Sequence, residues 1–340
     1  IVFPKSLASA DIQECAKKYK ITHIYGVPLL WDSLTKSIKK TIASKSPKMQ
    51  DLIKKFIDCN NHIITPHEAG FAASKMFKKM FQKKIFGTNI QFCVTGGAAV
   101  SKETMLTING IGYPLYNGYG MTEVAVTSVE LEDTVEQRLK GSIGAPLTNI
   151  EYKIKDKELC VKTPQIHSYR LINGNEVPAE LDDEGYFHTG DIGVLDETGH
   201  AWLKGKMKDV VIGANGENIY PDEIAIRFNG LPFVNKYTVL GINEGHDEVL
   251  TLVLSLDREL NEDEKSGLSK AISKVNDTFP NSLKVRKVLL SKEDLPVNTS
   301  MKIVKHVLVE KYEENKDNFD ELTIVSNVTF DAFDSNEVKD

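Results

Sequence analysis

Cysteine is scarce in this chain and never clustered. Its four residues, Cys15, Cys59, Cys93 and Cys160, form no CxxC pair. They stand mostly among apolar neighbours and read as small hydrophobes, so neither a disulfide framework nor a zinc site is expected. The eight histidines show no HxxxH or HExxH spacing. Each is by default a surface or satisfied interior residue, and only His188 falls inside a motif worth weighing. Long apolar runs are missing too: stretches such as "FVNKYTVLGI" break well short of the roughly 20 residues a membrane helix needs. The chain does not open on a charged-then-apolar leader, and a cytoplasmic location is expected. Basic charge is not in excess. With 42 Lys and Arg against 48 Asp and Glu the formal net charge is −6, which argues against a nucleic-acid partner. No internal repeat is visible.

What is present is the composition of an ordinary globular protein, 41% hydrophobic and 26% charged over 340 residues. Single cores rarely exceed roughly 250 to 300 residues, so about two domains are expected. The opening "IVFPKS" is apolar, strand-like and lacks an initiator methionine. The expectation is a chain that begins partway through a larger protein.

Hydrophobic periodicity organises the rest. Ile12, Cys15, Ala16 and Tyr19 fall at helical spacing, and "ITHIYGVP" then reads as a buried strand ended by proline. Helical patterns follow at 29–43, 48–57 and 69–85. The last puts Phe71, Met76, Phe77, Met80 and Phe81 on one broad apolar face with lysines opposite, as for a helix packed on a sheet. "IQFCVTGG" reads as another buried strand, followed by a helix at 101–109 and the strand "YPLYN". From 141 to 204 short alternating runs ("IEYKIK", "ELCVK", "YFHTGDIGVLD", "HAWLKGK") separated by Gly, Asn and Asp mark a small antiparallel β unit. After Gly205, strands at 209–213, 234–242, 249–255 and 284–290 and helices at 221–229, 261–276 and 302–314 make a compact α+β domain. The fold class read from this is α/β. Residues 1–204 form an α/β layered portion ending in the β unit, 205–316 a small α+β domain, and 317–340 an acidic tail or linker.

Four stretches carry chemistry. In "YNGYGMTE" (116–123) two glycines flank a tyrosine ahead of a hydroxyl and a carboxylate. Glycine permits φ > 0 or close approach, and such a turn can aim N–H groups, Thr122 and Glu123 at a polyphosphate and its metal ion. A plain hairpin turn with both side chains in solvent accounts for the residues equally well. "GYFHTGDIG" (185–193) places Asp191 after a Thr-Gly turn, where its two oxygens match the cis-diol of a ribose; a lone TGD is also a common self-capping hairpin. "GKMKDVVIGANGENIYPDEIA" (205–225) combines a strand, a glycine turn and a proline-started helix, and "LPVNTSMKIVK" (295–305) presents Lys302 from a loop before a helix.

In this order and spacing the four stretches resemble the adenylate-forming superfamily: acyl- and aryl-CoA synthetases, peptide-synthetase adenylation domains and firefly luciferase. The resemblance begins with "FPKSLASADIQECAKKYKITHIYGVPLLWDSL", similar to the acyl-CoA synthetase segment leading to the acyl pocket, and ends at about Lys316. It implies the remainder of a large N-terminal adenylation domain followed by a small, mobile C-terminal one. It also implies that a carboxylate attacks the α-phosphate of ATP, releasing pyrophosphate. The acyl group then passes from AMP to the thiol of coenzyme A or of a carrier-protein pantetheine. Two anions meet in the first step, so Mg²⁺ and a cation are wanted to offset charge.

Residue by residue, the resemblance implies Glu123 as the Mg²⁺ ligand, Thr122 as a phosphate contact, and the Tyr119, Gly120 and Met121 backbone as a border of adenine and acyl group. Gly97 and Ala98 of "TGGAAV" border the adenine, Asp191 holds the ribose, and Lys302 bridges substrate carboxylate and α-phosphate. Lys208 takes the hinge position, and Gly213, Gly216 and Glu217 in the turn at 209–220 help form the thiol tunnel.

Departures accompany the matches. Lys206 stands where the family has a ribose-contacting arginine, keeping the charge but losing the bidentate fork. Met301 replaces a glycine before the catalytic lysine, reducing loop freedom, and Lys157 replaces a glycine in a hairpin that tolerates it. No Ser/Thr/Gly-rich phosphate loop ending in PKG occurs in residues 1–340; in the family it lies upstream of the segment with which this chain begins. The expected function is the C-terminal part of an acyl-CoA synthetase, inactive alone. Apolar walls near Tyr25, Trp31, Tyr119 and Val124 favour a fatty or aryl acid. A fatty-acyl-AMP ligase loading an acyl-carrier protein is the alternative within the enzyme class, and a non-catalytic nucleotide-binding or interaction module the alternative outside it.

Overall fold

A computed structural model describes residues 1–324 apart from 7, 133, 168, 173, 214, 215, 246 and 299–301. The chain divides into two compact units. One comprises Ile1–Val210, Tyr220–Asn229 and Val297–Val304; the other comprises Val211–Ile219, Gly230–Pro296 and the residues from Lys305 on.

The first unit holds a four-stranded sheet in the order β1 (His23–Gly26), β2 (Phe92–Gly96), β3 (Leu115–Met121) and β4 (Ala125–Val129). The first three strands run parallel and β4 returns antiparallel. Parallel neighbours need crossovers, which the helices Pro28–Ala43, Pro47–Asn60, Lys75–Lys84 and Lys102–Gly110 supply. Their starts follow the sequence: proline opens the first two, where its missing N–H costs nothing. Ser101 caps the last, its Oγ accepting the Thr104 N–H at 3.1 Å. Trp31, Phe56, Phe77, Phe86, Ile108 and Tyr113 fill the core, each large side chain contributing about 1.5–3 kcal/mol of burial.

Two sequence expectations change here. The 69–85 pattern is not one helix, because Gly70 turns at φ +56 after the short helix Pro66–Ala69. A 3₁₀ turn spans Gly70–Ala73, and a new helix starts where Ser74 Oγ accepts the Phe77 N–H. The apolar face narrows to Phe77 and Phe81, while Phe71, Met76 and Met80 are exposed. The "YNGYG" stretch is strand rather than turn. β3 continues through Gly118 and Gly120 to Met121, and the reversal comes at 122–124, closed by Val124 N–H to Met121 C=O and by Ala125 at φ +59. The glycine is needed for close approach: a Cβ on Gly120 would lie 2.7 Å from Val126 Cα and nearer still to the Ala125 carbonyl oxygen.

The alternating runs form the expected antiparallel unit. β5 (Glu151–Lys155) pairs with β6 (Glu158–Lys162). After a separate ribbon of β7 (Tyr169–Ile172) and β8 (Asn175–Pro178), β9 (Phe187–Leu195) and β10 (Ala201–Lys206) complete a sheet ordered β10-β9-β6-β5. Its core of Ile143, Ile150, Leu159, Val161 and Ala201 also takes in Tyr119 of β3.

In the second unit β11 (Val211–Ile212) and β12 (Asn218–Ile219) form a small hairpin. A four-stranded sheet follows the order β13 (Val234–Glu244), β14 (Asp247–Leu256), β15 (Lys287–Ser291) and β16 (Phe319–Glu321). β14 and β15 are parallel, joined through the helix Glu262–Asn276, which opens on an Asn261–Glu264 capping box. Leu252, Leu254, Leu268, Ile272 and Val288 are fully buried. Phe319, inside the stretch read as a tail, stacks edge-on with Tyr312 at 5.4 Å as β16 joins the sheet edge. Among the described residues no helix is long and apolar enough to cross a membrane.

Candidate functional site

β2 and β3 are parallel neighbours with Gly96 opposite Gly118, so their carboxyl ends open side by side. Ligands of open α/β sheets sit beyond such ends. Gly97 leaves β2 at φ +88, with Ala98 exposed after it. Beyond β3, Thr122 is exposed and Glu123 half-buried. The Glu123 carbonyl accepts the His167 N–H at 2.8 Å, and Nδ1 of the same histidine lies 3.1 Å from it. That anchors the backbone. Among the described residues, the Glu123 carboxylate itself has no hydrogen-bond or ion-pair partner.

Asp191 on β9 is held from several sides. Thr189 Oγ1 donates to the Leu159 carbonyl at 2.6 Å and accepts the Asp191 N–H at 3.0 Å, while the Gly190 N–H donates to Glu158 Oε1 at 2.7 Å. The Tyr119 hydroxyl donates to Asp191 Oδ2 at 2.6 Å, and Lys206 Nζ pairs with Oδ1 at 2.7 Å. Lys206 faces Asp191 across β9 and β10, just past a register irregularity where Gly205 has φ +151. Burial first, and then the Asp191 charge, push the Tyr119 phenol far above its ordinary range. It is therefore a donor at every accessible pH.

Lys302 completes the group. Its loop is closed by Lys302 N–H to Asn298 Oδ1 at 2.9 Å, Asn298 N–H to the Lys302 carbonyl at 2.9 Å, and a bridge from Val297 to Ile303. A Cβ placed on Gly97 would sit 3.9 Å from Lys302 Cε. Lys302 keeps solvent contact, yet partial burial, the largest cause, pulls its ammonium below the usual lysine range. Lys206 adds to this, while Asp191 and Asp222 oppose it. Met301 lies outside the described residues.

The other expected residues stand apart. Lys208 is exposed in the 3₁₀ turn Met207–Asp209, close to the Val210 limit of the first unit. Gly213, Gly216 and Glu217 belong to the second unit, in the β11–β12 hairpin. There Gly213 N–H donates to the Glu217 carbonyl at 2.9 Å and Gly216 has φ +79. Of the expected apolar walls, Trp31 and Val124 are fully buried core and Tyr119 is nearly so, which leaves Tyr25 at the surface. Sequence reasoning missed the Tyr119 hydroxyl, whose partner is 72 residues away, and Asp222. A carboxylate in the first turn of the proline-started helix was the available signal for the latter.

A glycine-lined strand end, a clamped carboxylate and a solvent-exposed lysine with a lowered pKa converge in one unit, and residues 1–167 match the family model described as AMP-binding enzyme. Residues 1–167 belong to the AMP-binding enzyme family. Among its relatives, the long-chain-fatty-acid–CoA ligase 2 of Schizosaccharomyces pombe is 24% identical over 251 residues, covering 68% of this chain and 36% of that protein. The 2-succinylbenzoate–CoA ligase of Listeria innocua is 32% identical over 228 residues, covering 66% and 46%. The ATP-bound MatB structure from Rhodopseudomonas palustris shares the fold at a TM-score of 0.61 and 22% identity, covering 90% of this chain and 53% of that one. This chain thus spans less than half the length of both curated relatives.

Proposed function

We propose that this chain supplies the adenosine-facing and lysine-bearing part of an ATP-dependent acid–thiol ligase. The whole protein joins a carboxylic acid to AMP with release of pyrophosphate, then transfers the acyl group to the thiol of coenzyme A. The observation that carries this is the convergence of Gly97, Tyr119, Asp191, Lys206 and Lys302 within one unit. Asp191 offers its oxygens to the ribose hydroxyls, the exposed Gly97–Ala98 backbone and the end of β3 border the adenine, and Lys302 brings positive charge to the meeting carboxylate and α-phosphate. Positioning and electrostatics of this kind dominate phosphoryl-type chemistry. Thr122 contacts phosphate. Mg²⁺ fits the unpartnered Glu123 carboxylate and would supply charge compensation there.

Relatives acting on a long-chain fatty acid and on 2-succinylbenzoate support a fatty or aryl acid as substrate. They also favour coenzyme A over a carrier-protein pantetheine as acceptor. Lys208 is the proposed hinge between the two half-reactions, with the hairpin of Gly213, Gly216 and Glu217 lining the thiol path. The 340 residues contain no phosphate loop ending in PKG. Losing even one transition-state donor typically costs about 10²- to 10³-fold, so this chain binds AMP but does not turn over alone. The test pairs pyrophosphate exchange by the chain and by its full-length parent with AMP binding to the chain. We expect turnover only in the parent, abolished by Lys302→Ala, and AMP binding weakened by Asp191→Asn. Parent-like turnover by the chain, or AMP affinity indifferent to Asp191→Asn, would sink the assignment.

A further inference from the structure

Beside the nucleotide strand, folding assembles a group that no local spacing announces. Cys160 on β6 stands directly opposite His188 on β9, the arrangement in which side chains of neighbouring strands meet. Glu158, two residues before Cys160, shares its side of the strand, and a register irregularity between the two brings it across as well. Glu158 Oε2 lies 2.6 Å from His188 Nδ1, Cys160 Sγ lies 3.7 Å from the same nitrogen, and all three donor atoms fall within 4.8 Å of one another. Metal bonds of 2.0–2.3 Å imply tetrahedral ligand separations of about 3.3–3.7 Å. The three atoms therefore enclose one ion after a shift of about an ångström by Glu158.

We propose that Glu158, Cys160 and His188 form a binding site for a divalent cation of the Zn²⁺ class, separate from the Mg²⁺ position at Glu123. Thiolate and imidazole donors select such an ion over Mg²⁺ or Ca²⁺. The surroundings suit it. Asp182 Oδ2 is 3.7 Å from His188 Nε2, placed to accept the ring N–H of a histidine that ligates through Nδ1. Asp182 is itself fixed, its Oδ1 taking the N–H groups of Glu184 and Tyr186 and its Oδ2 pairing with Lys155 at 3.3 Å. Charge balances: the Cys160 thiol proton leaves to solvent on binding, thiolate and Glu158 carboxylate neutralise the dication, and Lys155 offsets Asp182. His188 is exposed, so its side is open for entry and for water as a fourth ligand. Glu158 Oε1 keeps its bond to Gly190 N–H, so the bound ion braces the strand that carries Asp191.

The test is a titration of the 340-residue chain with Co²⁺, read as thiolate-to-cobalt charge-transfer absorption, followed by displacement with Zn²⁺. One equivalent per chain is expected. Cys160→Ser should abolish the band, Cys59→Ser should leave it, and Asp182→Asn should weaken cobalt affinity about 10- to 100-fold, with circular dichroism confirming the fold of each variant. A folded chain that gives no band, or a band that survives Cys160→Ser, overturns the site.

Discussion

Replacing Tyr119 with phenylalanine removes one hydroxyl from the point where β3 reaches the β5–β10 sheet. That hydroxyl donates to Asp191 Oδ2 at 2.6 Å, and Asp191 is only 7% exposed. A hydrogen bond to a charged group is worth about 1.5–3 kcal/mol, and its loss leaves a buried oxygen with no donor. Lys206 stays on the other oxygen, so the carboxylate is not stranded. The expected cost is then about 2 kcal/mol. For a unit of this size each kcal/mol lowers Tm by roughly 2–4 °C, which predicts a fall of about 4–8 °C. Scanning calorimetry should place it in the transition of the first unit, since a chain of two units need not melt as one. A double-mutant cycle with Asp191→Asn isolates the pair, with a coupling of at least about 1 kcal/mol expected. AMP affinity should fall as well, tenfold for each ~1.4 kcal/mol of lost aim. An unchanged Tm together with additive single-variant effects would refute the clamp.

Two further outcomes follow from backbone and charge. Lys157 and the preceding Asp156 sit in the β5–β6 turn at φ +71 and +51, a left-handed conformation costing a side-chain-bearing residue about 1–2 kcal/mol; Lys157→Gly should raise the first unit's Tm, and no gain would show the turn to be unstrained. Lys302, with its pKa lowered by burial and by Lys206, should react with an acylating reagent near neutral pH faster than other exposed lysines such as Lys5, by peptide mass spectrometry. Lys206→Met should slow that labelling by letting the Lys302 pKa rise. For stability the sign is fixed: Lys302 gives up its proton earlier folded than unfolded, so its penalty is full below the folded pKa and fades as pH climbs toward the ordinary lysine value.

The elements read most cleanly from sequence are those whose cues are local. The helical periodicity at 29–43, 48–57 and 101–109 lies within each segment's own residues, and the structure has helices at Pro28–Ala43, Pro47–Asn60 and Lys102–Gly110. Alternation over 141–204 sufficed for a small antiparallel β unit, because a half-buried antiparallel strand carries period two in its own residues. Failures came where a residue answers to a distant neighbour. The glycines of 116–121 looked like a turn, but their reason is the close passage of β4 across β3. The 69–85 periodicity hid a break at Gly70 because periodicity does not report φ. Spacing set the cysteines and histidines aside as a zinc site and did not single out Glu158, whereas strand register brings Cys160, His188 and Glu158 together. Lys157, taken as harmless, occupies a conformation that glycine enters at no steric cost.

The substitution of lysine for arginine at 206 takes on a different meaning once the geometry is known. Both oxygens of Asp191 are engaged, one by Tyr119 and one by Lys206. On the proposed reading a ribose diol needs that carboxylate, so a resident donor must yield. Tyr119 is buried in the core shared with Leu159 and Val161 and has nowhere to go. Lys206 is a third exposed, and a partly solvated single-point ion pair is worth little, about 0–1 kcal/mol. Its ammonium can swing toward phosphate while water replaces it. An arginine fork would grip the carboxylate through two bonds and release it less readily. The lysine therefore trades bidentate recognition of the nucleotide for an easily vacated oxygen. Lys302, whose pKa is pulled down by burial and in part by Lys206, would hold its proton more firmly with Lys206 moved aside.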